Sequence, residues 1–517
     1  MSQLPALQVV IRFYIEKIIE TIEKRFNRLC EPSQTEDRGA EIYCVHRTSS
    51  RHTGEPPLIN GWIPFLGVAL DFRKNATSFL LTLNKKHGDI FTIHMAEFAD
   101  QISSQAFDHP PVVNGNCPDL NEHVHRNYQY ILGKSLDTLS DNMMKNLQII
   151  FKRKFSQMVD WEMEKMHKFC FSIIFEASFK TFFGRDPHND GYNVTDEIGE
   201  KFLKFDANFS YLALNVPITL LGATKNIRRE LINFLNPKKM EKWLDVSKVV
   251  QDRKDILEKY KVLSDYDKAA HHFAFLWASV GNTIPVIFWT MYYLLRHPEA
   301  FAVVRNEIDH LLQSTGQEKS PGYNIYLSRE QLDNLVYLES AINESLRMCS
   351  SSMNIRQIKE NFILKFEENR EVCLRKGDFL AIFPPVLHRD PEIYEDPHTY
   401  KYDRYMENGK KKTTFFKQGK KLKYFLMPFG SGVSMCPGRF FAMSEIKLFV
   451  VIASVYFDMD IMEDKQLGQD KDRIGLGILL PDSDIIFRYK LRFTVLSLLS
   501  VLNIIIDCVF LCKKRMR

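Results

Sequence analysis

One cysteine in a glycine-rich loop is the residue of this sequence with the clearest potential for chemistry. The stretch 429–442 reads FGSGVSMCPGRFFA, and its cysteine is Cys436. Glycine tolerates backbone angles that other residues avoid, and we expect Gly430, Gly432 and Gly438 to adopt positive φ. The proline after the cysteine can open the apolar helix that follows. A helix start favours thiolate over thiol, and thiolate is the form that binds metal.

An apolar run at 270–295 carries the second candidate site. Its length and composition predict a helix that is buried on nearly every side. Asn282, Thr283 and Pro285 are poor helix formers near its centre, and the proline lacks the N–H that a regular helix needs. One interpretation is a tolerated kink. The other is an opened turn in which Asn282 and Thr283 order a proton supply, and the cysteine loop elsewhere in the chain favours it.

Glu344 and Arg347 form a third candidate constellation. A spacing of three places both side chains on one helix face, where the carboxylate can hold the guanidinium by two hydrogen bonds. An exposed ion pair is the alternative. The downstream sequence Tyr-Asp-Arg-Tyr at 402–405 adds a further arginine, Arg404.

The cysteine loop resembles the haem-binding loop of the cytochrome P450 superfamily, Phe-Gly-x-Gly-x-(Arg/His)-x-Cys-x-Gly-x-x-x-Ala. The matching positions include Phe429, Gly430, Cys436 and Gly438. The resemblance implies bound haem, iron protoporphyrin IX, with the thiolate of Cys436 as axial iron ligand. One position departs from the pattern, because Ser434 stands where an arginine or histidine often contacts a haem propionate.

Two further matches concern basic residues. Arg356 matches the arginine that reaches a haem propionate in the superfamily. Glu344, Arg347 and Arg404 resemble its Glu-Arg-Arg triad, which implies a structural role in locking the scaffold beneath the cysteine loop.

The apolar helix resembles the oxygen-binding helix Ala-Gly-x-(Asp/Glu)-Thr of the superfamily. Aligned on Ala278, Gly281 replaces the acid and Asn282 replaces the threonine. These replacements are typical of the sterol 7α-hydroxylase and prostacyclin synthase branch. The resemblance therefore implies a catalytic role for Asn282 and Thr283 that differs from the usual acid–alcohol relay.

The resemblance implies a mainly α fold with a small β-rich lobe, the cytochrome P450 haem-thiolate fold. It also implies a monooxygenase that hydroxylates an oxysterol of the 25- or 27-hydroxycholesterol type at carbon 7, in sterol and bile acid metabolism. The reaction would use O₂ and electrons from NADPH delivered by a partner reductase. Two alternatives remain: an electron-independent haem-thiolate isomerase of oxidised lipids, and a haem-binding chain made inactive by an irregular region at 96–120.

The chain is expected to have three parts. Residues 1–54 form an extension with an amphipathic helix, 55–491 the haem-thiolate domain, and 492–517 an apolar segment with a basic end. The run 493–512 is long enough to span a membrane, the alternative being a buried or interfacial helix. The resemblance implies location in the endoplasmic reticulum membrane with the catalytic domain facing the cytosol.

Bulk composition sets broader limits. The net charge of +5 over 517 residues gives no argument for nucleic acid as a partner. Nine cysteines, an odd and scattered set, fit a reducing compartment better than a disulfide scaffold. The lysine-rich stretch 410–423 is either a solvated loop or a docking site for an acidic electron donor.

Overall fold

The computed structural model describes residues 54–59, 69–88, 90–93, 106–108, 117, 119–188, 192–213, 216–318, 324–365 and 371–492. The predicted extension (except Gly54), most of the 96–120 region and the apolar run 493–512 lie outside the described residues. The expectations attached to them remain predictions.

Helices dominate the described part of the chain. In order, they are α1 (Ala69–His87), α2 (Leu120–Asn127), α3 (Gly133–Phe155), α4 (Met166–Phe183), α5 (Tyr192–Asp206), α6 (Phe209–Ala213), α7 (Thr224–Phe234), α8 (Pro237–Met240), α9 (Lys248–Glu258), α10 (Asp265–Val280), α11 (Thr283–Arg296), α12 (Pro298–Ser314), α13 (Arg329–Asp333), α14 (Val336–Cys349), α15 (Pro384–His388) and α16 (Arg439–Tyr456).

The strands are short and form separate small sheets. They are β1 (Leu58–Ile59), β2 (Thr92–Ile93), β3 (Glu162–Lys165), β4 (Asn354–Gln357), β5 (Phe362–Lys365), β6 (Glu371–Leu374), β7 (Phe379–Ile382), β8 (Met406–Glu407), β9 (Lys410–Lys411), β10 (Phe416–Lys417), β11 (Lys420–Lys421), β12 (Phe457–Ile461) and β13 (Ile486–Leu491). The pairs are β1–β2, β4–β7, β5–β6, β8–β9 and β10–β11, and β12–β13–β3 make three strands. The mainly α architecture with little β structure is confirmed.

Aromatic side chains fill the centre of the core, where α3, α4, α16 and the three-stranded sheet meet. Phe155 packs edge-on against Phe457 with ring centroids 4.7 Å apart, and Phe169 packs similarly against Phe487 at 5.1 Å. Edge-to-face packing is the arrangement that aromatic quadrupoles favour. Phe449 of α16 packs against Phe151 of α3 with ring centroids 5.8 Å apart, so the helix after the cysteine loop is anchored in this aromatic core.

The long apolar helix of the sequence is divided into α10 and α11. It begins with a capping box in which the Ser264 and Asp267 side chains each bond the other's backbone N–H. By length and composition 265–296 could span a membrane, but most of its apolar side chains are buried inside the protein. Its apolar character therefore reflects a position in the core.

Candidate active site

The cysteine loop folds back on itself before α16 begins. The Cys436 N–H donates to the Phe429 carbonyl at 2.9 Å, and the loop turns at Gly430 and Gly432 with φ of 76° and 68°. These two glycines adopt the positive φ that the sequence predicts. Gly438 does not, because its φ is −81° and it precedes the first residue of α16 in an ordinary conformation.

The sulfur of Cys436 lies against the start of that helix. Burial raises the pKa of the thiol, while the N–H groups of Gly438 and Arg439 and the Arg439 charge act in the opposite direction. The N–H groups at the helix start thus favour thiolate, as the sequence predicts, but for the free thiol desolvation outweighs them. Coordination to a metal cation deprotonates a thiol outright.

The loop is fitted closely to strand β4. A Cβ on Gly430 would lie 3.1 Å from the Asn354 side-chain oxygen, so only glycine fits there without displacement. Arg356, two residues along the strand, is exposed and donates from Nη2 to the Ser431 carbonyl at 3.4 Å. The structure thus brings the predicted propionate arginine to the cysteine loop, whereas Ser434 is exposed.

These features fit a haem. Among the described residues no group of three or more His, Cys, Asp or Glu side chains could hold a metal ion, but a porphyrin supplies its own ring nitrogens and needs a single axial thiolate. The half-buried sulfur of Cys436 has N–H donors beside it, which suits an anionic ligand atom. Arg356, exposed beside the same loop, suits an acidic edge of the cofactor.

The predicted structural triad is assembled. Glu344 accepts hydrogen bonds from Arg347 Nε and Nη2, both at 2.8 Å, and from Arg404 Nε at 2.9 Å. The Glu344 and Arg347 side chains have no exposed surface. Arg347 also donates to the carbonyls of His388 and Pro397, at 2.6 and 2.7 Å. The alternative of an exposed ion pair is thereby excluded.

A histidine that sequence reasoning missed joins this cluster to the cysteine loop. His388 Nε2 accepts the Met427 N–H at 3.0 Å, so the proton of the neutral ring is on Nδ1, which is 3.3 Å from the Ser350 hydroxyl. Burial and the charges of Arg347 and Arg389 lower the pKa of His388 to about 3. The neutral His388 ring therefore links the end of α15 to the Met427 backbone, just before the cysteine loop.

The helix opens at Gly281 and Asn282. The last helical backbone hydrogen bond before the opening runs from the Gly281 N–H to the Trp277 carbonyl at 2.8 Å. The first one after it runs from the Val286 N–H to the Asn282 carbonyl at 3.3 Å. Within the described part, no backbone bond joins 282–284 to the carbonyls four residues earlier. The interpretation as an opened turn thus has a structural basis.

The side chains of Asn282 and Thr283 contact different neighbours. The Asn282 side-chain oxygen accepts the Ile478 N–H at 3.0 Å, and a Cβ on Gly477 would lie 2.3 Å from it. Thr283 is buried, and its hydroxyl donates to the Ser279 carbonyl at 3.2 Å. Asn282 therefore fastens the turn to the loop 473–478.

A buried carboxyl group lies beside Thr283 and was also missed. Glu445, on α16, has no exposed surface, and the Ser178 hydroxyl donates to its Oε1. Burial raises the pKa of Glu445 to about 8, against the smaller effect of the neighbouring Ser178 and Thr283 hydroxyl groups. The only sequence signal was that Glu445 stands nine residues after the cysteine, within the apolar helix. Its neighbours Ser178 and Thr283 become visible only in the fold.

A cysteine at the start of a core helix, a Glu-Arg-Arg cluster and an opened apolar helix together define the class of protein. The sequence profile described as Cytochrome P450 matches residues 120–488. The chain belongs to the cytochrome P450 family.

Comparison with relatives shows which members of the family the chain is similar to. The chain is 43% identical to mouse cytochrome P450 7B1 over 469 residues, which cover 86% of this chain and 92% of that protein. It is 45% identical to rat 25-hydroxycholesterol 7-alpha-hydroxylase over 396 residues, 77% of this chain and 95% of the rat protein. Identity to hamster (Cricetulus griseus) cholesterol 7-alpha-monooxygenase is 38% over 488 residues, 87% and 96% of the two chains. The chain is thus similar to sterol 7α-hydroxylases, which are monooxygenases.

Proposed function

We propose that this protein is a haem-thiolate monooxygenase that hydroxylates an oxysterol of the 25- or 27-hydroxycholesterol type at carbon 7. The observation that carries the proposal is the Cys436 loop at the start of α16, the helix whose Glu445 lies beside Thr283, in a chain 45% identical to a 25-hydroxycholesterol 7-alpha-hydroxylase. Neither feature alone is sufficient, since the loop defines the chemistry and the similarity supports the substrate class.

Cys436 would hold haem through its sulfur, with Arg356 beside an acidic edge of the cofactor and Phe429, Gly430 and Gly438 shaping the loop. When bound, haem supplies oxygen activation, and a thiolate ligand favours O–O cleavage. The chain's own contribution is to hold the sulfur and to order the opened turn. Glu344, Arg347, Arg404 and His388 would keep the loop in place, a structural role.

A sterol requires a mostly apolar site closed against water. Trp277, one turn before the opened segment, stacks on Phe209 at 4.0 Å between ring centroids and donates from its indole to Asp206 at 2.8 Å. Asp206 also accepts from Arg473 at 2.5 Å, at the start of the loop that Asn282 holds. This cluster of the half-buried Trp277 with three buried residues joins α5, α10 and the loop 473–478, and we infer that it forms one wall of the sterol site.

Electrons would come from NADPH through a separate reductase. The hairpins β8–β9 and β10–β11 present lysines at 410–423, although Lys411 pairs with Glu339 and Lys417 with Asp390, the latter at 2.7 Å. Glu339 also accepts from Lys447 of α16 at 2.7 Å, which ties one hairpin to the helix after the cysteine. A basic surface attached to that helix suits an acidic donor protein. We also propose that the protein lies in the endoplasmic reticulum membrane with its catalytic domain facing the cytosol, as the family resemblance implies.

The test is product analysis with the full-length haem protein, 25-hydroxycholesterol, NADPH and a microsomal reductase. We expect a 7-hydroxylated sterol that requires NADPH and reductase, and none from a Cys436→Ala variant. Turnover of an oxidised lipid without NADPH would instead establish the isomerase. Haem binding without turnover of any sterol would favour the inactive chain and place the fault in the 96–120 region.

A further inference from the structure

A cleft with a volume of about 370 Å³ lies between α3, the end of α4 and the start of α9. Pockets that hold small molecules in proteins have volumes from about 300 to 1,000 Å³. The described residues that line this cleft include no member of the cysteine loop, the triad or the opened turn. The cleft therefore has the size of a ligand site, and no step of the monooxygenase reaction uses it.

The walls of the cleft carry an excess of positive charge. Among the described residues that line it, one is acidic, Asp245, and four are basic: Lys145, Lys180, Arg185 and Lys248. Arg185 pairs with Asp245 at 3.1 Å, and Lys180 pairs with Glu176 at 3.2 Å. Glu176 also accepts from Arg153 at 2.8 Å, so one carboxylate serves two cations. The lining as a whole is therefore suited to an anion.

Lys145 and Lys248 are the two cations of the cleft that can neutralise a ligand. Both are exposed, and neither pairs with a carboxylate in the part of the chain that the structure describes. The Lys248 Nζ lies 5.9 Å from the centre of the Tyr130 ring, which also lines the cleft. A cleft lined by charges of one sign raises the local concentration of the opposite charge.

Neutral hydrogen-bonding groups complete the walls. Ser135, Thr138 and Asn142 follow one another on α3 at spacings of three and four, which places them on one face of the helix. Ser247, just before α9, donates its hydroxyl to the Phe182 carbonyl at 2.7 Å and does not cap the helix. N–H groups at a helix start favour negative charge, so α9 adds to the effect of the lysines.

Backbone contacts fix the base of the cleft. Arg185 and Leu244 exchange two backbone hydrogen bonds, each of 2.9 Å. Gly184 has φ of 74°, and a Cβ there would lie 2.0 Å from the Leu244 carbonyl oxygen, so only glycine permits this contact. A preformed site loses less entropy on binding than a site that the ligand must first order.

We propose that this cleft binds a phosphate ester of a sugar or polyol. Lys145 and Lys248 neutralise the phosphate groups, and the hydroxyl and amide groups of α3 bind the ring hydroxyls. The combination of lysines with a helix start favours phosphate. A polyol or sugar is favoured over an apolar molecule because most of the described lining residues are polar. The head group of a phosphorylated inositol lipid and a soluble sugar phosphate share this chemistry.

The first measurement is calorimetric titration of the full-length haem protein with inositol hexakisphosphate, a soluble phosphorylated polyol. We expect saturable binding that weakens as the salt concentration rises. The double variant Lys145→Glu, Lys248→Glu should bind at least about tenfold more weakly, because two attractive charges become repulsive. Its Tm should match that of the wild type, since both lysines are exposed and an acid at the start of α9 suits the helix dipole.

The double variant Lys259→Glu, Lys261→Glu is the matched control. Both lysines are exposed and follow the C-terminal end of α9, about 15 Å along the helix from Lys248. This variant changes the net charge by the same amount and should bind the probe as the wild type does. An equal loss in the two double variants would show attraction to basic surface in general and would overturn the proposal. Absence of saturable binding to the wild type would overturn it as well.

Flotation with phosphatidylcholine vesicles distinguishes the two sources of the ligand. Wild-type binding that increases when phosphatidylinositol bisphosphate is added, and that loses this increase in Lys145→Glu, Lys248→Glu but not in the control, identifies a lipid head group. Saturable binding of inositol hexakisphosphate without such an increase identifies a soluble phosphate ester.

Discussion

Arg404 donates its Nε hydrogen to Glu344 at 2.9 Å across a separation of 60 residues, and so closes a buried triad beneath the cysteine loop. The same arginine donates to the carbonyls of Glu395 and Thr399, at 2.6 and 2.9 Å. One side chain thus fixes the segment before β8 onto α14, and with it the approach to the cysteine loop.

Replacement of Glu344 by glutamine should be severely destabilising. It would leave two buried guanidinium groups without their carboxylate, and breaking a buried pair costs about 3–5 kcal/mol. Chemical denaturation of the haem-bound protein measures this loss. Glu122→Gln, which removes an exposed partner of Arg126 on α2, is the control and should have no measurable effect. Equal stability of the two variants would contradict the structural role of the triad.

Substitution of Gly477 tests the contact between Asn282 and the loop 473–478. Gly477→Ala would place a Cβ 2.3 Å from the Asn282 oxygen at a residue with φ of 130°, so Tm should fall by several degrees. Gly475→Ala shares the positive φ (91°) but meets nothing within 4 Å, and it reports backbone strain alone. Adding Asn282→Ala to Gly477→Ala should recover part of the difference. If both alanine variants have the same Tm, the Asn282 contact is unimportant.

His388 should make the native state sensitive to acid. The native protein excludes a proton that the unfolded chain binds below the ordinary histidine pKa of 6.5, so the free energy of unfolding should decrease as pH falls from 6.5 toward 3. His388→Gln should weaken this dependence while its carbonyl still accepts the Met427 N–H. His388→Leu cannot accept it and should loosen the cysteine loop. Titration of stability against pH in the three proteins provides the comparison.

Glu445 should produce the opposite pH dependence. The native state keeps a proton that the unfolded chain releases above 4.5, so the free energy of unfolding should fall by up to about 5 kcal/mol as pH rises from 4.5 to about 8. In Glu445→Gln this slope should be absent. Denaturant titrations at several pH values measure it, and an unchanged slope in the variant would show that Glu445 is ionised in the native protein.

Local patterns explain why much of the site could be predicted. Cys436 stands in a motif of fixed offsets, and Glu344 and Arg347 need only a helical spacing of three. The opened turn likewise follows from Pro285 and its neighbours, which disfavour a regular helix. Each of these signals is contained within a few consecutive residues.

The remainder depends on contacts that spacing does not encode. His388 meets Met427 across 39 residues, and Glu445 meets Ser178 across 267. The direction of the Asn282 side chain is set by the Ile478 N–H, 196 residues away. The direction of the pKa change of the Cys436 thiol depends on its burial, which tertiary packing determines.

The central claim is that Cys436 presents a thiolate to haem in a cytochrome P450 fold. The most direct measurement is the carbon-monoxide difference spectrum of the reduced full-length protein, alongside Cys436→Ala. We predict the long-wavelength band characteristic of thiolate-ligated haem in the wild type and its loss in the variant. A wild-type spectrum without that band, or a variant that retains it, would contradict the claim.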